Sequence, residues 1–109
     1  MIKPLQLEQL AEAQEQTKHI TTLLADDHRK LVSIKLQKGA ILAAHKAIWP
    51  ITIHCVEGEG ELIVSDQTIP LTRGVIVPLD PHVMHEVKGK PDLALLVTMF
   101  RSKSTPPTT

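Results

Sequence analysis

The stretch GAILAAHKAIWPITIHCVEGEGEL, residues 39–62, sets Gly39 ahead of an apolar run that delivers His45, breaks at Pro50, and then alternates through Ile51, Thr52, Ile53, His54, Cys55 and Val56 into Glu57-Gly58-Glu59-Gly60. A second stretch, GVIVPLDPHVMH at 74–85, repeats the plan: Gly74 leads an apolar run that ends at His85. Alternation with a period of two marks strands, and Gly, Pro and Asp clusters mark the turns between them. Two glycine-led strands each deliver a histidine.

The same pattern extends in both directions. Ile20 to Ala25 and Lys30 to Leu36 are apolar-rich runs separated by Asp26-Asp27-His28-Arg29, a polar hairpin loop. In the second run Val32, Ile34 and Leu36 share one face. Further strands are expected at 40–44, 51–56, 61–65, 68–71, 75–77, 84–87 and 93–100, with turns at Glu57–Gly60, Asp66-Gln67, Thr72–Gly74 and Gly89–Asp92. Many short strands with no long helical segment between them argue an all-β sandwich or closed barrel. The run Leu93 to Val97 is apolar on both faces, so its outer face calls for a cover, and a second copy of the chain is the simplest one.

At 109 residues the chain holds one domain and one core. Its 42% apolar and 22% charged content is that of a soluble globular protein. Lys plus Arg equal Asp plus Glu at 12 each, so no net field favours nucleic acid, a membrane surface or an acidic substrate. Cys55 is the single cysteine, which excludes an intrachain disulfide and a Cys-rich zinc site. No apolar run approaches membrane-spanning length and the N-terminus lacks the apolar core of a signal peptide; the expectation is a cytoplasmic protein. Residues 1–19 read as an N-terminal arm, irregular or with a turn or two of helix, residues 20–101 as the barrel, and residues 102–109, SKSTPPTT, as a disordered tail.

The two histidine-bearing stretches resemble the paired motifs of the cupin superfamily of small antiparallel β-barrels. The first family motif is Gly, five residues, His-x-His, three residues, Glu, six residues, Gly. Gly39, His45 and Gly58 match it without gaps, while Ala47 stands for the second histidine and Ile51 for the glutamate. The second motif is Gly, five residues, Pro-x-Gly, two residues, His, three residues, Asn. Gly74 and His85 match it, with Asp80, His82 and Gly89 in place of the proline, glycine and asparagine. The wording His45-Lys46-Ala47, then Pro50-Ile51-Thr52, is also similar to a subgroup of single-domain cupins that lack the same second histidine and glutamate. The resemblance implies an all-β fold, a single antiparallel cupin barrel of the double-stranded β-helix or jelly-roll kind.

In cupins with full motifs, three histidines and a glutamate converge on iron, manganese, nickel or zinc, and open positions admit substrate. Carried onto this chain, the resemblance implies a divalent metal at His45 and His85. His82, three residues before His85 in a loop, is the candidate third ligand, with Asp80 and Glu86 as oxygen alternatives. Ala47, Trp49, Ile51 and Ile53 are the candidate pocket residues. The parity of Ile51 puts Ile53 and Cys55 on the inner face and His54 on the outer one. Cys55 is about 13 Å along the strand from Ile51 at roughly 3.3 Å per residue, a distant thiolate and a more ordinary buried filler.

Each histidine also has a plainer reading: His45 and His85 as hydrogen-bonded polar groups in a pocket, His82 as a solvated loop residue, and His54 as an outer-face or interface residue. Glu57, Glu59 and Glu61 read as solvated turn residues, and nucleophilic catalysis has no candidate beyond Cys55. Three functions follow as alternatives. The first is a metal-dependent enzyme acting on a small molecule. The second is a metal-free barrel whose histidines hydrogen-bond a small ligand. The third is a structural or regulatory homodimer.

Overall fold

The computed structural model describes residues 2–5 and 17–101. Most of the expected N-terminal arm and the whole expected tail lie outside the described residues. Among the described residues there are seven strands: β1 (Lys18–Ala25), β2 (Arg29–Leu36), β3 (Ile41–His45), β4 (Ile51–Val64), β5 (Gln67–Thr72), β6 (Ile76–Leu79) and β7 (His85–Phe100). All pairings are antiparallel, in the order β1-β2-β7-β4-β5, with β3 joined to β7 and β6 to β4. No helix among the described residues is long and apolar enough to cross a membrane.

The architecture follows from two long strands. β4 gives its first residues, Ile51 to His54, to β6 and its last, Glu59 to Val64, to β5. β7 pairs with β3 through residues 85–88 and with β2 through residues 93–100. β4 and β7 also pair with each other from Ile51↔Met99 to Ile63↔Glu86. Both therefore pass from one sheet (β1, β2, β7, β4, β6) into the other (β3, β7, β4, β5), and the two sheets enclose the core as a double-stranded β-helix.

This corrects two turns expected from composition. Glu57 to Gly60 and Gly89 to Asp92 are not hairpin loops; each is a bulged bend inside a continuous strand. Gly58 sits at φ +79, and a Cβ there would run into the Asp92 carbonyl; a Cβ at Gly60 would meet the Lys88 carbonyl and the Leu93 side chain. The glycines let β4 and β7 cross backbone against backbone at the corner, a known use of bulges and strand glycines. The motif glycines tie these corners down. Gly39 N–H donates to the Pro91 carbonyl at 2.8 Å, on the bend of β7, and Gly74 N–H donates to the Cys55 carbonyl at 2.8 Å, on the bend of β4.

Alternation then fills the interior. Val32, Ile34 and Leu36 of β2, Ile51, Ile53, Cys55 and Leu62 of β4, Leu71 of β5, and Val87, Leu93, Leu95 and Val97 of β7 are all buried. Burying a branched side chain of this size contributes about 1.5–3 kcal/mol relative to leaving it exposed. The expected inner face of residues 51–55 is the one observed, and His54 faces outward at intermediate exposure.

Candidate functional site

β3 and β7 bring the two motif histidines together. His45 and His85 are register partners across these strands, just past a bulge in β3. Their ring centroids are 4.2 Å apart and the planes tilt by 59°. His85 is 3% exposed, whereas His45 stands at the open end of the barrel.

Both rings are held by the same local device. His45 Nδ1 lies 2.9 Å from the Ala43 carbonyl, and His85 Nδ1 lies 2.9 Å from the Val83 carbonyl. A carbonyl only accepts, so each Nδ1 carries a proton, and in the neutral ring it is Nε2 that keeps the lone pair. Burial pulls the His85 pKa below its ordinary value, against the Val83 carbonyl bond, which raises it; the neighbouring His45 lowers it further. His85 is thus held in its neutral, accepting form.

The pair sits on a cavity of about 300 Å³. β2 lines it with Val32 and Ile34, β4 with Ile51 and Ile53, and β7 with Val87, Leu95, Val97 and Met99. Leu42 and the loop from His45 through Lys46, Ala47, Ile48 and Trp49 complete the wall. All the pocket residues named from the sequence, Ala47, Trp49, Ile51 and Ile53, line this space. Trp49 is braced from behind by Arg101, whose guanidinium lies 5.1 Å from the ring centroid.

The other candidates lie elsewhere. His82 is exposed, in a left-handed backbone conformation at φ +67, and does not line the cavity. Its backbone N–H donates to the Ala47 carbonyl at 2.7 Å, so it clips the second motif's loop onto the first. Asp80 is exposed. Glu86 has the opposite parity to His85 and Val87 on β7. Cys55 is fully buried, its thiol facing the Glu57 and Gly58 carbonyls at 3.7 and 3.8 Å, and burial pushes its pKa up. Among the described residues, no group of three or more His, Cys, Asp or Glu forms a metal cluster. The two imidazoles fit two positions of a coordination sphere, and the remaining donors would have to come from ligand or water.

Lys46 was not singled out from the sequence, although it follows His45 directly. It is the one charged residue among those lining the cavity. The i−2 carbonyl contacts were also missed, because they depend on the path of the chain before each histidine. The inward parity of Val32 and Ile34 was readable, but not their role as cavity floor.

A bent pair of long strands, two enclosing sheets and an imidazole pair on adjacent strands at the barrel mouth are the features of a small cupin domain. The chain has the cupin fold. It is similar to a cupin superfamily protein of Desulfitobacterium hafniense (20% identity, 94% of each chain covered, TM-score 0.81). It is also similar to an RmlC-like cupin of Desulfovibrio desulfuricans (25% identity, 92% of this chain and 97% of that one, TM-score 0.81). A Klebsiella pneumoniae protein with a double-stranded β-helix domain superimposes as well (14% identity, 96% and 95% covered, TM-score 0.82). No protein-family model and no curated protein matches the chain.

Proposed function

We propose that this cupin barrel binds a small organic molecule in its interior, with a polar group at Nε2 of His45 and His85 and a hydrocarbon part against the apolar wall. The observation that carries this reading is the imidazole pair, Nδ1 committed to backbone on both rings, at the edge of a cavity of about 300 Å³. Concave, mostly apolar sites with a few convergent polar groups are the usual form of small-molecule pockets, and this volume is at the small end of their range. Trp49 supplies the readout. Titration with phenol and short alcohols should change its fluorescence saturably, and Ile53→Phe, which fills the cavity, should abolish the change. No saturable response to any of them, with Ile53→Phe indistinguishable from the parent, overturns the reading.

A divalent metal at the same two Nε2 atoms is the second reading. It is favoured by the carbonyl-held Nδ1 atoms, the arrangement that orients metal-bound imidazoles. His45 and His85 would hold the ion, and it would supply Lewis-acid polarisation of a ligand oxygen. Elemental mass spectrometry on untagged protein separates the two. About one equivalent of iron, manganese, nickel or zinc, lost in the His45→Ala, His85→Ala double variant, supports the metal. Metal-free protein that still binds the organic probe supports direct hydrogen bonding.

Self-association belongs to the same proposal. Leu96, His54 and Ile76 form one row across β7, β4 and β6 on the outer face, and Ile76 is 57% exposed. A second copy covering this row is the partner we place there. Light scattering should give a dimer, converted to a folded monomer by Ile76→Lys; a monomeric parent protein removes this part.

A further inference from the structure

The chemistry of the cavity wall narrows the ligand beyond its size. This step rests on the binding reading above. Two of the polar groups are the Nε2 atoms of His45 and of His85, left for a ligand because each Nδ1 is taken by a backbone carbonyl, and buried His85 in its neutral form accepts there. A bare carboxylate offers the His85 Nε2 no proton, so the ligand must present a donor as well, and a hydroxyl is the simplest uncharged one. The third is Lys46, a cation beside His45, and no carboxylate side chain lines the cavity among the described residues. An amine donor would be repelled by Lys46, whereas an anion next to the hydroxyl would be attracted. The rest of the wall is branched aliphatic with Trp49 and Met99. A sugar would bury hydroxyls there without partners, at a cost of roughly 1–3 kcal/mol for each.

We infer that the ligand is a small hydroxy acid with a compact hydrocarbon body, aromatic or branched aliphatic. Its hydroxyl donates its one hydrogen to Nε2 of His85, its carboxylate pairs with Lys46, and its body fills the space against Ile53, Leu95 and Val97. The cavity takes one ring or a short branched chain, not a nucleotide or an acyl lipid.

Isothermal titration with four probes tests the class: 3-hydroxybenzoate, whose hydroxyl cannot reach its own carboxylate, its uncharged methyl ester, benzoate and glucuronate. The expected result is that 3-hydroxybenzoate binds at least about tenfold more tightly than the ester or benzoate, about 1.4 kcal/mol, and that glucuronate gives no heat of binding. In Lys46→Met, whose side chain is exposed, the ratio of acid to ester affinity should fall to near one while the thermal midpoint is kept. Two results overturn the hydroxy-acid class and leave the binding reading standing: the ester binding as tightly as the acid in the parent protein, or glucuronate binding better than either. If none of the four probes binds, and the short alcohols do not either, both fall together.

Discussion

His45 and His85 share a register pair but not an environment, and the difference has a consequence for stability. His85 is buried and its pKa is lowered, chiefly by burial. The unfolded chain therefore binds a proton at this position more readily than the folded one does. Stability must rise with pH across that window: the contribution is complete above the ordinary value of about 6.5 and is lost as pH falls below it. Thermal midpoints measured from pH 8 to pH 5 should drop through the acid half of the range, and His85→Asn should flatten part of that drop. An identical slope in the variant would mean that His85 is not held neutral by the fold. At this scale the sequence is informative about position and silent about protonation. The intervals Gly39 to His45 and Gly74 to His85 are enough to bring the rings together, because strand length and register fix where each arrives. The Ala43 and Val83 carbonyls that set the tautomers depend on the bulge in β3 and on the loop before β7, which leave no mark in composition.

The bend in β4 is where residue pattern and element diverge. Glu57-Gly58-Glu59-Gly60 has the composition of a tight turn, and so does Gly89-Lys90-Pro91-Asp92; a local reading cannot tell a reversal from a strand that changes sheets. The distinguishing information is long-range. Gly58 is opposite Leu93 and Gly60 is opposite Gly89, so the two breaker clusters face one another and bend together. Gly39 and Gly58 make a controlled comparison, since their φ values, +76 and +79, are nearly equal, but only Gly58 has backbone within reach of a Cβ. Gly39→Ala should cost the left-handed conformation alone, about 1–3 kcal/mol. Gly58→Ala should cost that and a forced displacement at the corner, about 1–3 kcal/mol more. Urea unfolding of the two variants checks the difference. Equal losses would show that the corner gives way freely and that the crossing of β4 over β7 is not tightly packed.

At the scale of the molecule, the through-going strands tie the cavity to the far corner. Because β4 and β7 each belong to both sheets, neither sheet can open without breaking the pairing that holds the other. Two probes sit at different points on this frame. Trp49 lines the cavity, and Cys55, fully buried at the bend of β4, has its backbone N–H and carbonyl bonded to Val75 and Gly74. Buried, with its pKa raised, the Cys55 thiol should resist a thiol reagent until the barrel unfolds. A domain this small usually unfolds in one cooperative step, with different probes giving coincident transitions. At a single protein concentration, urea transitions followed by Trp49 fluorescence, by far-ultraviolet circular dichroism and by Cys55 labelling should therefore share one midpoint. Early loss of the Trp49 signal, with Cys55 still protected, would mean that the cavity end opens as a separate unit. In that event the strands crossing between the sheets would not couple the two ends, and ligand entry would need no global unfolding to make room. Coincidence would mean the opposite: a mouth formed by β3 and its following loop on a rigid frame, with the imidazole pair already in place before a ligand arrives.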